Sequence, residues 1–238
     1  LHRRDRWYRI HNAIKGEMCK FGAGLAACGG GELQQWQVSA LQKFWAGHSK
    51  LVDLHHGHED DMFTPMLKEK VNYPPKLEAD HDALVALAKA VTLEVGALEG
   101  GGSLTAVTSV FETYHATMKA HLKEEEELCV PLIRAFFDPK YVGAKVQEIM
   151  QAMDPIALGA FVHYQGSKAE LGPFLKQEGI PFFVWYIQFK GARAQYRAQM
   201  ETQIQALLTK TPPTKPLTAK KDLTDAMNCG AYQWRVTA

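Results

Sequence analysis

Two stretches of this chain hold the same reactive side chains in the same order. His11-Asn12-Ala13-Ile14 has a counterpart in His81-Asp82-Ala83-Leu84. Further on, His55 is followed four residues later by Glu59 and ten later by Pro65, and His121, Glu125 and Pro131 keep the same offsets. The lone histidine precedes its His-x-x-x-Glu partner by 44 residues in the first half and by 40 in the second. Residues four apart on an α-helix stand about 40° apart around the axis and one turn along, so each pair shares a face. Two such helices, joined by two more that carry single histidines, bring six donors together: His11, His55, Glu59, His81, His121 and Glu125. Imidazole nitrogen with carboxylate oxygen suits iron, manganese or zinc, and two carboxylates free to bridge suit a pair of ions. Without a cation, four histidines and two glutamates on core-facing stripes would be costly to bury.

The elements that must position these donors are helical. Strand signals are nearly absent, and Ala, Leu, Glu, Lys and Gln recur at helical spacing. A first helix begins near Asp5 and ends at Gly29-Gly30-Gly31. A second runs from about Glu32 to Lys70, before Asn72-Tyr73-Pro74-Pro75. The third spans Lys76 to Leu98, and the fourth leads from about Ser103 to Asp138-Pro139. There, and again at Asp154-Pro155, a capping Asp and a first-turn Pro open further helices. Another helix is expected from Pro181 to Leu208, followed by a Pro-rich linker and a short tail. The predicted fold is all-α, an up-down-up-down four-helix bundle with additional C-terminal helices. It divides into residues 1–137 as the metal-binding bundle, 138–210 as a helical extension packed on it, and 211–238 as linker and tail.

Composition narrows the function. Lys plus Arg number 27 against 26 Asp plus Glu, so no global field favours nucleic acid as a partner. Cys19, Cys28, Cys129 and Cys229 show no C-x-x-C pair, which argues against a cysteine zinc site and leaves a reducing compartment such as the cytoplasm as the expectation. The apolar run Phe182 to Ile187 is far short of the roughly 20 residues of a membrane span. The chain starts at Leu1, so a cleaved organelle targeting peptide stays open. There is no Ser-His-Asp arrangement, phosphate-cradling glycine loop or zinc-protease motif.

On the quoted histidine, glutamate and proline positions, residues 5 to 137 resemble the hemerythrin HHE cation-binding family. They are especially similar to the hemerythrin-like domains of eukaryotic iron-sensing ubiquitin-ligase components, which carry patterns like His11 to Ile14, His55 to Asp61 and His121 to Glu126. The resemblance implies two iron ions, oxo- or hydroxo-bridged, with Glu59 and Glu125 as bridges and manganese or zinc as substitutes. It also implies dioxygen or another small oxidant as the partner. Oxygen-carrying members have a second histidine four residues after the third-helix histidine, where this chain has Val85. One ion should therefore keep an extra open position, putting reversible oxygen carriage in question.

The neighbours sort as follows. His56, about 100° round from His55, is expected to face a helix boundary or solvent, although the related sensors can place a ligand there. His58 is less well registered than Glu59, and His115 should pack elsewhere. His48 and Tyr114, each seven residues before a ligand histidine, lie on the ligand stripe. Of the acidic run Glu124 to Glu127, only Glu125 has ligand register. His2 and His163 carry no signal. The leading function is a di-iron module that senses or reacts with oxygen, iron or a small oxidant, rather than a dedicated enzyme. The rival is an interaction subunit that uses the bundle as scaffold and docks a protein partner through its C-terminal helices.

Overall fold

The computed structural model describes residues 6–29, 31–166, 168–177 and 179–213; His2, Cys229 and most of the expected linker and tail lie outside them. Every element among the described residues is helical. Helix α1 (Arg6–Cys28) is long and regular because Ile14, Met18, Phe21 and Leu25 recur at three- and four-residue steps and are all buried. Helix α2 (Gln35–His58) runs into a π-helical turn (Glu59–Phe63) and then α3 (Thr64–Lys68). In that turn the Thr64 amide reaches back five residues to the Glu59 carbonyl. Pro65 follows at once and has no N–H to give, so the ladder changes register there. The expected second helix is thus present with an insertion beside its glutamate.

Helices α4 (Pro75–Gly96) and α5 (Thr105–Phe136) complete the bundle. Helix α1 packs on α2 and α5, and α4 packs on the same two, so the four close into a ring. One end is filled by Phe21, Phe44, Trp45, Phe111 and Tyr114, whose rings meet edge-on or tilted, except that Phe21 stacks on Phe44. All six predicted donors lie toward the other end.

Past the bundle, both Asp-Pro signals act as read. Asp138 accepts the Lys140 amide at 2.7 Å and opens α6 (Pro139–Ala152); Asp154 accepts the Ile156 amide at 2.9 Å and opens α7 (Pro155–His163). Helix α8 (Lys168–Gln177) was not foreseen. The long helix expected from Pro181 is a relay of a π turn (Trp185–Phe189), α9 (Lys190–Tyr196), a second π turn (Arg197–Glu201) and α10 (Thr202–Thr209). Lys210 ends it in the left-handed conformation, φ 54°.

The extension is built into the core. Tyr196, Met200, Ile204 and Leu207 share one apolar cluster with Ile14, Phe21 and Leu41 of the bundle. The Arg9 guanidinium lies 4.7 Å over the Phe174 ring. No described helix is long and apolar enough to cross a membrane.

Helices α7 and α9 approach closely at Gly159, where an added Cβ would overlap the Ala192 carbonyl oxygen and stand 2.6 Å from Tyr196 Cβ. Gly159→Ala should therefore destabilise the protein by about 1–3 kcal/mol. Gly191→Ala, with nothing within 4 Å of its new Cβ, should be neutral or stabilise by about 0.4–1 kcal/mol. Thermal unfolding followed by circular dichroism reads both, and equal melting of the two variants would contradict the packing.

Candidate metal centre

The six predicted donors converge. His11 comes from the start of α1, His55 from the end of α2, Glu59 from the π turn, His81 from α4, and His121 with Glu125 from α5. Each is at most 7% exposed. A seventh group joins them: His56, buried at 4% exposure, stacks on His81 with ring centroids 4.4 Å apart. The expectation that His56 faces a boundary or solvent is corrected. Val85 is corrected too: it is 38% exposed, so position 85 does not face the buried donors.

The two glutamates stand between two sets of imidazoles. Glu59 turns Oε1 toward His55 Nε2 (3.4 Å) and His11 Nε2 (4.0 Å), and Oε2 toward His81 Nε2 (3.5 Å). Glu125 turns Oε2 toward His11 Nε2 (3.5 Å), and Oε1 toward His81 Nε2 (3.5 Å) and His121 Nε2 (3.4 Å). Two donor groups result, one of His11, His55, Glu59 and Glu125, the other of His56, Glu59, His81 and His121, each with its donor atoms within 4.8 Å of one another.

These separations are longer than the 2.7–3.2 Å of an ordinary N–H···O bond. Two donors each about 2.1 Å from one ion would stand about 3.0–3.5 Å apart. The Nε2 atoms of all five histidines, both Glu59 oxygens and Glu125 Oε2 are buried without a hydrogen-bond partner. Buried polar atoms are rarely left so, and here they all face one small volume. The donor set fits a cation pair.

Acids next to the donors hold the imidazoles in place. Asp60 Oδ1 is 2.8 Å from His81 Nδ1, and Glu126 Oε1 is 2.9 Å from His11 Nδ1 and also accepts from Lys15. A proton on each Nδ1, donated to its carboxylate, leaves Nε2 with a lone pair toward the centre. The sequence carried this signal unread: each glutamate of the repeat is followed directly by an acid, Asp60 or Glu126, that serves the lone histidine of a neighbouring helix. Asp80 stands 3.8 Å from His121 Nδ1.

A model of the hemerythrin HHE cation-binding domain matches residues 2–133. The chain belongs to this family. No curated protein and no solved structure matches it. Within the hemerythrin family's cation-binding frame, His48, His115 and His58 stand outside the two donor groups. His48, on the ligand stripe, is fully buried and satisfied: Nδ1 lies 3.0 Å from Glu17 and Nε2 3.0 Å from the Tyr114 hydroxyl. His115 stacks on Phe111, and His58 is only partly buried.

Burial and neighbouring charge set the protonation of the metal-free hemerythrin centre. Desolvation, then the adjacent imidazoles, holds His55 well below the ordinary histidine range, and His56 is pushed down to about 2. Desolvation, then the Glu125 charge, raises Glu59 well above the carboxylate range. The depressed histidines stay neutral when folded but charge when unfolded, so their effect is to remove stability as pH falls below the unfolded value near 6.5. The raised Glu59 works oppositely, and its contribution is lost as pH rises through its folded value. Cation binding must therefore displace the Glu59 proton. We expect titration of the metal-free protein with ferrous or zinc ion to release about one proton per chain, measured calorimetrically in buffers of different ionisation enthalpy. Glu59→Gln should abolish the release, and a buffer-independent heat in the unmodified protein would contradict the raised carboxyl.

Proposed function

We propose that the chain holds two iron ions between its four helices and binds or reacts with dioxygen or another small oxidant, as a sensing module rather than a dedicated enzyme. The observation that carries the reading is the unequal split of imidazoles around two shared carboxylates. His56, His81 and His121 stand on one side, His11 and His55 on the other. If both glutamates served both ions, the two-histidine side would be one donor poorer. Bound there, iron would supply an open position for a small ligand and electrons for its reduction.

The chain's own residues do the rest. Asp60 and Glu126 fix two of the imidazoles, and burial keeps water from the donors. Glu59 gives up its proton when the site fills. His55 and Glu59 line the inner end of a cavity, so the less saturated side is the accessible one. The five-histidine count supports oxygen binding more strongly than the valine at position 85 suggested. A second reading draws on Phe182, Phe183, Tyr186 and Ile187, which are 50–74% exposed at the edge of the extension. A patch of that kind suits a protein partner, and docking there is compatible with a metal-responsive bundle.

The full chain loaded with ferrous iron without air should bind about two ions per chain and melt at higher temperature than the metal-free protein. Glu59→Ala and Glu125→Ala should each lose most of both effects. His56→Ala should lose about half the iron, whereas Val85→Ala should lose none. Admitting air should change the optical spectrum of the loaded protein. A chain that takes up no iron, or a Val85 variant as defective as the His56 variant, would overturn the assignment.

A further inference from the structure

Beside the two-histidine side lies a cavity of about 400 Å³, within the roughly 300–1,000 Å³ of pockets that enclose small organic molecules. Dioxygen needs little more than the space of one water, about 30 Å³, so the cavity exceeds it by an order of magnitude. Its walls are apolar and come from both parts of the chain, among them Leu51 and Leu54 of α2, Val146 and Ile149 of α6, Phe161 of α7 and Phe174 of α8. Exposed lining residues, Pro139 and Gln177 among them, open it to solvent, while His55 and Glu59 form a buried inner end. The walls select against charge. Glu59 turns both oxygens to the imidazoles of the centre, and Arg134 stands exposed at the rim with interactions of its own. Apart from His55 and His58, these two are the ionisable residues of the lining. Neither is left over to match a ligand's charge, and an ion stripped of water against apolar walls is costly.

We propose that this cavity binds an uncharged, largely hydrocarbon molecule of roughly ten heavy atoms, given about 30 Å³ for a water-sized group. Such a guest supplies the apolar walls with van der Waals neighbours, and apolar cavities of about 150 Å³ already admit benzene. Its inner end lies against the donor group that includes His55 and Glu59. Closeness to iron rests on the two-iron reading; binding in the cavity does not.

Nonanol is the probe, with nonanoate and nonylammonium as its charged counterparts, each displacing an environment-sensitive fluorophore from the full chain in its metal-free form. Nonanol should bind saturably at about one per chain, and both ions at least about tenfold more weakly. From hexanol upward, affinity should rise roughly fourfold per added methylene and level off near ten to twelve heavy atoms, where the cavity is full. Val146→Trp, which fills the cavity, should weaken nonanol at least about tenfold, and Ile149→Trp tests the same wall should the first variant lose its helical circular dichroism. Ile187→Ser, in the exposed patch of the extension, should leave binding within about twofold. No saturable binding to the natively helical chain, undiminished binding in a folded tryptophan variant, or loss in Ile187→Ser overturns the proposal. Either ion binding as tightly as nonanol overturns the uncharged class, and an unbroken rise through dodecanol overturns the enclosed site; neither of these arms needs a variant.

The iron-loaded protein then reports distance from the centre. With iron content confirmed by elemental analysis, the proton resonances of bound nonanol should be broader than in the metal-free protein. Unchanged line widths at full iron content overturn the placement beside the centre. Failure to take up iron is read from the elemental analysis alone; it counts against the two-iron reading, and the metal-free titrations still decide the cavity.

Discussion

The structure depends on two carboxylates that have nowhere to go but a cation. Glu59 and Glu125 are buried among five imidazole nitrogens, and no donor within reach satisfies Glu59 or the inner oxygen of Glu125. Removing an ionised carboxylate from water costs several kcal/mol even after relaxation. The metal-free fold limits that cost by raising the Glu59 carboxyl well above the carboxylate range and holding His55 and His56 well below the histidine range. The outer acids then make sense as supports. Asp60 and Glu126 act on the far nitrogens of His81 and His11 and hold the near nitrogens in place before any ion arrives.

The layer immediately above shows what the same residue types do without a cation. His48 and Tyr114 occupy the same stripe as His55 and His121, one heptad earlier, and Glu17 faces them from α1. There the imidazole spends both nitrogens, on Glu17 and on the tyrosine hydroxyl, at 3.0 Å each. A buried polar group with its partners in place needs nothing more. What marks the site is therefore the geometry of dissatisfaction, since burial and residue type are common to both layers. Periodicity cannot tell a satisfied histidine from an orphaned one.

That limit describes what was legible in the sequence. The duplicated His and His-x-x-x-Glu pattern led to the bundle, to its four helices and to six of the seven groups that meet in the interior, because four-residue spacing translates directly into a shared face. The two Asp-Pro starts were legible for a similar reason, since capping is local chemistry. His56 was not legible as a donor, because a residue 100° from His55 reaches the interior only when the bundle is wide enough to hold two donor groups side by side. Val85 failed from the same cause: its spacing from His81 was right, but the rotation of α4 carries it outward. The π turn at Glu59 and the breaks in the C-terminal helix were also out of reach, since they depend on packing and on which carbonyls a neighbouring proline leaves unpaired.

His56 also breaks the symmetry that the repeat would otherwise impose. Matched position for position, each half contributes two imidazoles: His11 with His55, and His81 with His121. The residue after His121 is Leu122, fully buried in the apolar core. The residue after His55 is a histidine that joins the other half's donor group, stacking on His81. Three imidazoles against two makes the two donor groups unequal. The poorer side is also the one that His55 and Glu59 present to the cavity roofed by the extension. A duplicated scaffold thus acquires a direction from one substitution, and the helices past Asp138 determine what that direction faces.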